Sequence, residues 1–219
     1  MKELVDECAR SLKTAGDRFP WDSRRAYGDW LAQTYYYVRH STRLLAAAAA
    51  RFPLDDHGSA LHYRFAAHIV EEKRHEQLAL HDLKYLGLSL DEFEERHATR
   101  MFYEPQYYKI EHQAPSVLFG YILPLEAIAA TQGKQISAAV VRAFGPKCDA
   151  FLRVHGEDDV EHLEKALQVI ESVAEGERAW LVQNLRQSTT AYCRILDEIV
   201  DGIGVGTATQ PRELLVGSR

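Results

Sequence analysis

Apolar residues along this chain recur three and four positions apart over long stretches, and no run alternates with the period of a strand, so the pattern predicts an all-α protein. A short amphipathic helix is expected over residues 2–13. A long helix follows over 23–52, with Tyr27, Trp30, Leu31, Tyr35, Val38, Leu44 and Leu45 on its apolar positions. Pro53 ends it, and Asp55 and Asp56 offer a cap for a second long helix over 58–86 that stops at Gly87. Residues 88–97 read as short helix and the aromatic segment 101–108 as loop or irregular helix. A third core helix starts near Pro115 with a bend expected at Pro124. A connecting helix over 135–144 stops at Gly145-Pro146, a fourth long helix covers 147–173, and a last one covers 176–200. The whole is about seven helices in one domain, residues 1–201, with 202–219 as a disordered tail.

Two of these apolar stripes are interrupted by the same polar pattern. His68, Glu72 and His75 read HxxxExxH on the stripe of Leu61, Phe65, Ala79 and Leu86. His155, Asp159 and His162 read HxxxDxxH on the stripe of Cys148, Leu152 and Ala166. Spacings of four and seven put each triplet on one helix face, within reach of a common point. Burying such groups without partners costs several kcal/mol apiece, on the order of 2–7 for a neutral polar group, and a divalent cation offsets that for imidazole and carboxylate together. Glu126 is the third interruption. It is the only acid between Glu111 and Asp149 and follows Leu118, Phe119, Tyr121, Ile122, Leu123 and Leu125. A carboxylate in such surroundings is paired, protonated or metal-bound.

Composition narrows the partners. With 46% hydrophobic residues in 219, the chain can bury a full core. A net charge of -6 without a Lys/Arg run argues against nucleic acid or an anionic membrane as the partner, and favours a small molecule. Cys8, Cys148 and Cys193 are far apart and form no CxxC pair, which suggests reduced thiols in the cytoplasm and provides no zinc framework. No signal peptide or membrane span is read from the sequence, and the oligomer left open is a homodimer.

Two ExxH-type pairs, Glu72/His75 and Asp159/His162, with a lone Glu126, follow the logic of dinuclear iron sites in helical bundles, where each of the remaining two helices adds one Glu. The fourth carboxylate is missing, because no Glu lies between Glu7 and Glu71 and the first long helix offers only Asp29 and His40, with Asp22 just ahead of it. ExxH in an early helix, Glu126, and HxxxDxxH about thirty residues later, together with Trp30-Leu31-Ala32-Gln33-Thr34-Tyr35-Tyr36-Tyr37, resemble the haem-oxygenase-like diiron oxidases and oxygenases. The likeness extends over roughly residues 26–173. It implies a haem-oxygenase-like helical bundle holding two iron ions, as Fe(II) reacting with O2, although manganese suits the same donors. The implied ligands are Glu72, His75, Glu126, His155, Asp159 and His162, with His68 and His40 as further candidates. The implied substrates are small amino-acid-like or fatty-acid-like molecules undergoing N-oxygenation, desaturation or C-C cleavage in specialised metabolism.

Other readings stand beside this one. The same scaffold hosts haem oxygenases, for which His40 is the one first-helix histidine, as well as PQQ synthase and thiaminase II, for which Cys148 is a conceivable nucleophile. A ferritin-like iron-binding protein is the non-enzymatic alternative. The triplets could also be a buried network of acids and imidazoles without metal. Tyr35, Tyr36 and Tyr37 fit core packing or a substrate wall. Met101, Phe102, Tyr103, Tyr107 and Tyr108 fit a lid or ordinary packing. Gly156 beside His155 suits a close backbone approach. Arg39, Arg64, Lys109 and Arg142 are possible carboxylate anchors.

Overall fold

In the computed structural model, which describes residues 2–157 and 173–205, every regular element is helical. The α-helices are α1 (Lys2–Arg18), α2 (Arg24–Val38), α3 (Ser41–Ala49), α4 (Asp56–Glu71), α5 (His75–Tyr85), α6 (His97–His112), α7 (Phe119–Phe144), α8 (Ala150–Glu157) and α9 (Glu175–Val205). Short 3-10 turns lie at Leu90–Glu92 and Pro115–Leu118. The expected cap is present at the start of α4, where Asp55 accepts from the Gly58 N–H, and Ser23, read as the first helical residue, instead caps α2 by accepting from the Ala26 N–H. Gly87 and Gly145 end their helices at positive φ, as the sequence predicts.

α2 is the centre of the molecule, with 11 of its 15 residues buried. It packs on α5, α6 and α9, while α7 runs against α1, α8 and α9. The α7–α9 crossing is close enough that a Cβ on Gly120 would come within 2.6 Å of the Leu181 carbonyl, so only glycine fits there. Buried polar groups on α2 are paired with α6 and the loop before it. Asp29 takes the Arg96 guanidinium, and Gln33 accepts from the Arg96 N–H and the Thr99 hydroxyl.

Several predicted elements differ from the sequence reading. The long helix over 23–52 is divided at Arg39 and His40, where neither Gly nor Pro stands. His40 stacks on Tyr103 at 4.1 Å and shares a hydrogen bond with the Tyr107 hydroxyl at 2.9 Å, so α6 redirects the chain. Of the two readings of 101–108, helix is the one realised: the segment is the middle of α6, which carries Pro105 in its interior. Its buried face is Thr99, Phe102, Tyr103, Gln106, Lys109 and Ile110, and the outward-facing Met101, Tyr107 and Tyr108 had masked that period. Residues 88–97 hold only a 3-10 turn, and the third core helix and the connecting helix are one continuous α7 passing through Pro124. The helix over 58–86 is divided after Glu71, and Arg74 turns the chain at φ 70. A left-handed residue other than glycine costs about 1–2 kcal/mol. Arg74→Gly is therefore expected to stabilise the metal-free protein by about 1 kcal/mol, read as a rise in melting temperature of about 2–4 °C.

Candidate metal centre and cavity

The division between α4 and α5 shapes the site. The HxxxExxH residues do not share one helix: His68 lies on α4, Glu72 caps its end, and His75 opens α5. The left-handed turn nonetheless keeps them together. His68 Nε2 lies 3.5 Å from one Glu72 oxygen, and His75 Nδ1 lies 3.6 Å from the other. α8 brings His155 from the far side, with its Nε2 3.1 Å from His75 Nδ1. Glu72, His75 and His155 each offer a ligand atom, all within 4.8 Å of one another, and form the one such group among the described residues. Asp159 and His162 lie outside the described residues.

The tautomer of His155 follows from its neighbours. Its Nδ1 is 2.8 Å from the Phe151 carbonyl, which can only accept, so Nδ1 carries the proton and Nε2 presents a lone pair toward His75 and Glu72. Burial pushes the His155 imidazole below its ordinary pKa, against the pull of Glu72, and so favours the neutral form a metal requires. Burial alone would raise the Glu72 carboxyl, but the His68 hydrogen bond with His155 and His75 nearby holds it below the usual glutamate value. For His68 burial is outweighed by Glu72 and Glu126, and its pKa rises.

These groups line or adjoin one end of an apolar cavity of about 110 Å³. Its walls come from α2 (Trp30, Tyr37), α3 (Leu44, Leu45), α7 (Tyr121, Leu125, Ile136) and α8 (Phe151, Leu152), and its polar side chains include His68, Glu72, Glu126 and His155. Glu126 is pushed up to about 7 by burial, with Glu72 adding and His68 and Arg64 opposing. The buried Tyr121 hydroxyl has no protein partner among the described residues. Tyr37 is thus a cavity wall as well as core, whereas Tyr36 spends its hydroxyl on the Phe93 carbonyl.

The first-helix candidates do not line the cavity. Asp29 is bound to Arg96, Asp22 is exposed, and His40 is held by Tyr103 and Tyr107 beside an outer groove with Arg39 and Arg43. His40 is therefore not among the residues facing the cavity. Cys148 is buried away from the cavity and its thiol is pushed up by burial, which ill suits a nucleophile. Lys109 is committed to Asn184, leaving Arg64, half-buried over the Phe119 ring, as the anchor candidate nearest Glu126. Gly156 does sit against α7: a Cβ there would lie 3.7 Å from Gly133, ordinary contact that alanine also permits.

The donor set fits a first-row cation. Two ligand atoms each about 2.1 Å from one ion stand about 3.0–3.4 Å apart at angles between octahedral and tetrahedral. The separations of 3.1 and 3.6 Å at His75 approach this, and ligation through His75 Nδ1 requires its proton to move to Nε2. Two imidazoles with a carboxylate and no thiolate suit iron or manganese.

Residues 28–193 match the family described as "Iron-containing redox enzyme", and the chain belongs to that family. No curated protein matches the chain. Among solved structures, a domain of unknown function with a haem-oxygenase-like fold from Shewanella denitrificans OS217 is similar with TM-score 0.80 and 17% identity, over 97% of each chain. A TenA homologue from Pseudomonas syringae pv. tomato DC3000 aligns with TM-score 0.72 and 14% identity, over 91% of this chain and 92% of the other. A TenA homologue from Pyrococcus furiosus gives TM-score 0.61 and 15% identity, over 90% and 98%. The fold class read from the sequence is thereby borne out. No helix among the described residues is long and apolar enough to cross a membrane.

Proposed function

We propose that this protein is an O2-dependent non-haem diiron oxidase or oxygenase acting on a small organic substrate held in the apolar cavity. The observation that carries the reading is the convergence of Glu72, His75 and His155 from α4, α5 and α8 on one point beside that cavity. Bound iron(II) would supply the reducing equivalents that activate O2 next to the substrate. His75 and His155 with Glu72 would hold one ion, Asp159 and His162 would hold the other, and Glu126 would supply a further carboxylate ligand. His68 holds Glu72 in place through its hydrogen bond. Trp30, Leu45, Ile136 and Phe151 exclude water and bind the apolar part of the substrate, and the unpartnered Tyr121 hydroxyl can donate to a polar group on it. N-oxygenation, desaturation and C-C cleavage of an amino-acid-like or fatty-acid-like molecule all meet these requirements.

Haem is less well served, since the one first-helix histidine, His40, faces the outer groove, and a TenA-like thiol nucleophile is not served by the position of Cys148. Anaerobic titration with iron(II) tests the proposal. Two equivalents are expected to bind, and at a hundredfold excess over the dissociation constant each occupied site stabilises the fold by about 2.7 kcal/mol, a melting rise of about 5–10 °C per site. O2 uptake coupled to an organic product is expected with the right substrate. Uptake of less than about half an equivalent would remove the diiron assignment. Iron oxidation with no organic product from any substrate tried would favour the ferritin-like alternative.

A further inference from the structure

α8 presents His155 to the centre, yet the residue at its own N-cap position does not satisfy its first amides. Asp149 supplies the backbone carbonyl that accepts from Arg153 N–H, but its carboxylate receives the Ser137 hydroxyl at 2.8 Å. The free N–H groups of Ala150 and Phe151 are taken instead by Asp82 of α5, at 3.0 and 2.9 Å, one on each carboxylate oxygen. Asp82 is wholly buried, and its first oxygen also lies 3.0 Å from His81 Nδ1. A side chain from one helix thus caps another.

That cap belongs to a closed circuit. Asp82 stands two turns beyond His75 on α5, about 10 Å along the axis. Phe151, whose N–H binds Asp82, is the residue whose carbonyl accepts from His155 Nδ1, one turn on along α8. His155 Nε2 then returns to His75 Nδ1. α5 and α8 are consequently pinned at two places, and the spacing of the two imidazoles is set by the helix register that Asp82 locks. We infer that Asp82 is the positioning residue of the metal centre, holding His155 at ligating distance from His75 although it touches neither ring. Removing it frees two amides at the start of α8 and lets that helix slide or tilt against α5, so the donor atoms separate.

This inference rests on the metal reading, and its test keeps the two apart. Cobalt(II) is the probe, added to the full chain well below its melting temperature, with affinity and visible ligand-field spectrum as readouts. The His75–His155 separation in metal-free crystals is a third readout. Asp82→Ala is expected to weaken cobalt binding at least about tenfold, the scale of lost outer-shell support, to alter the spectrum and to lengthen the separation. Asp82→Asn keeps one acceptor oxygen in place and should recover part of all three, and it serves as the readable variant if the alanine form does not fold. Asp29→Asn, which weakens the buried Arg96 pair away from the cavity, controls for loss of stability and should retain the wild-type spectrum and affinity. Wild-type cobalt affinity and spectrum in Asp82→Ala, or equal damage from Asp29→Asn, would overturn the assignment. If the wild type binds no cobalt, the metal reading fails, and an unchanged His75–His155 separation in the metal-free Asp82 variants would then overturn the positioning role on its own.

Discussion

Replacing His155 with alanine is expected to lower iron(II) or cobalt(II) affinity by more than about 100-fold, beyond the range for loss of an outer-shell partner, while leaving the metal-free fold nearly intact. The asymmetry follows from how the ring is held. His155 Nε2 carries no proton and points at His75 and Glu72, so it is a ready donor that no protein group replaces. Its structural share is smaller: the ring is only partly buried, stacks on Phe151 at 4.1 Å and makes one backbone hydrogen bond. Direct metal titration with thermal melting checks both halves. His57→Ala, at an exposed position early in α4, should bind metal as the wild type does. An unchanged affinity in His155→Ala would show that the cluster is a polar network and not a metal centre.

Glu126→Gln is expected to act in opposite directions with and without metal. In the metal-free protein the Glu126 carboxyl titrates near 7 rather than 4.5 because burial penalises its charge. The sign is fixed by linkage: the folded state holds the proton more tightly than the unfolded chain, so stability is full below about pH 4.5, falls as the pH rises toward 7, and stays low above it. A shift of this size corresponds to about 3 kcal/mol, on the order of 6–12 °C of melting temperature for a chain of this length. Metal-free Glu126→Gln should therefore melt close to the wild type at pH 5 and up to that much higher at pH 8. With iron(II) the order reverses, since the cation repays the buried charge and the amide is a poor ligand. Melting curves at the two pH values, in chelator and in anaerobic iron(II), give the four numbers needed. A difference independent of pH would mean that water solvates Glu126.

The sequence alone established the helical class, because a 3.6-residue period in apolar positions cannot be mistaken for a strand pattern over such lengths. It also singled out polar groups that the structure places on the cavity wall, since His68, Glu72, Glu126 and His155 break otherwise apolar stripes, and burying them demands a reason. The helix cap at Asp55 and the stops at Gly87 and Gly145 were local chemistry and so were legible. The two helix breaks were not, because neither 39–40 nor 72–74 contains Gly or Pro: His40 is drawn aside by Tyr103 and Tyr107 from α6, and Arg74 adopts its left-handed turn in a segment where glycine would be expected. Asp82 was invisible for a related reason. One aspartate in a charged helix has no periodic signature, and its importance comes from the amides of a helix that begins 68 residues later in the chain. Side-chain periodicity decides which groups are buried, but only packing between distant segments decides which of them meet, and at what distance.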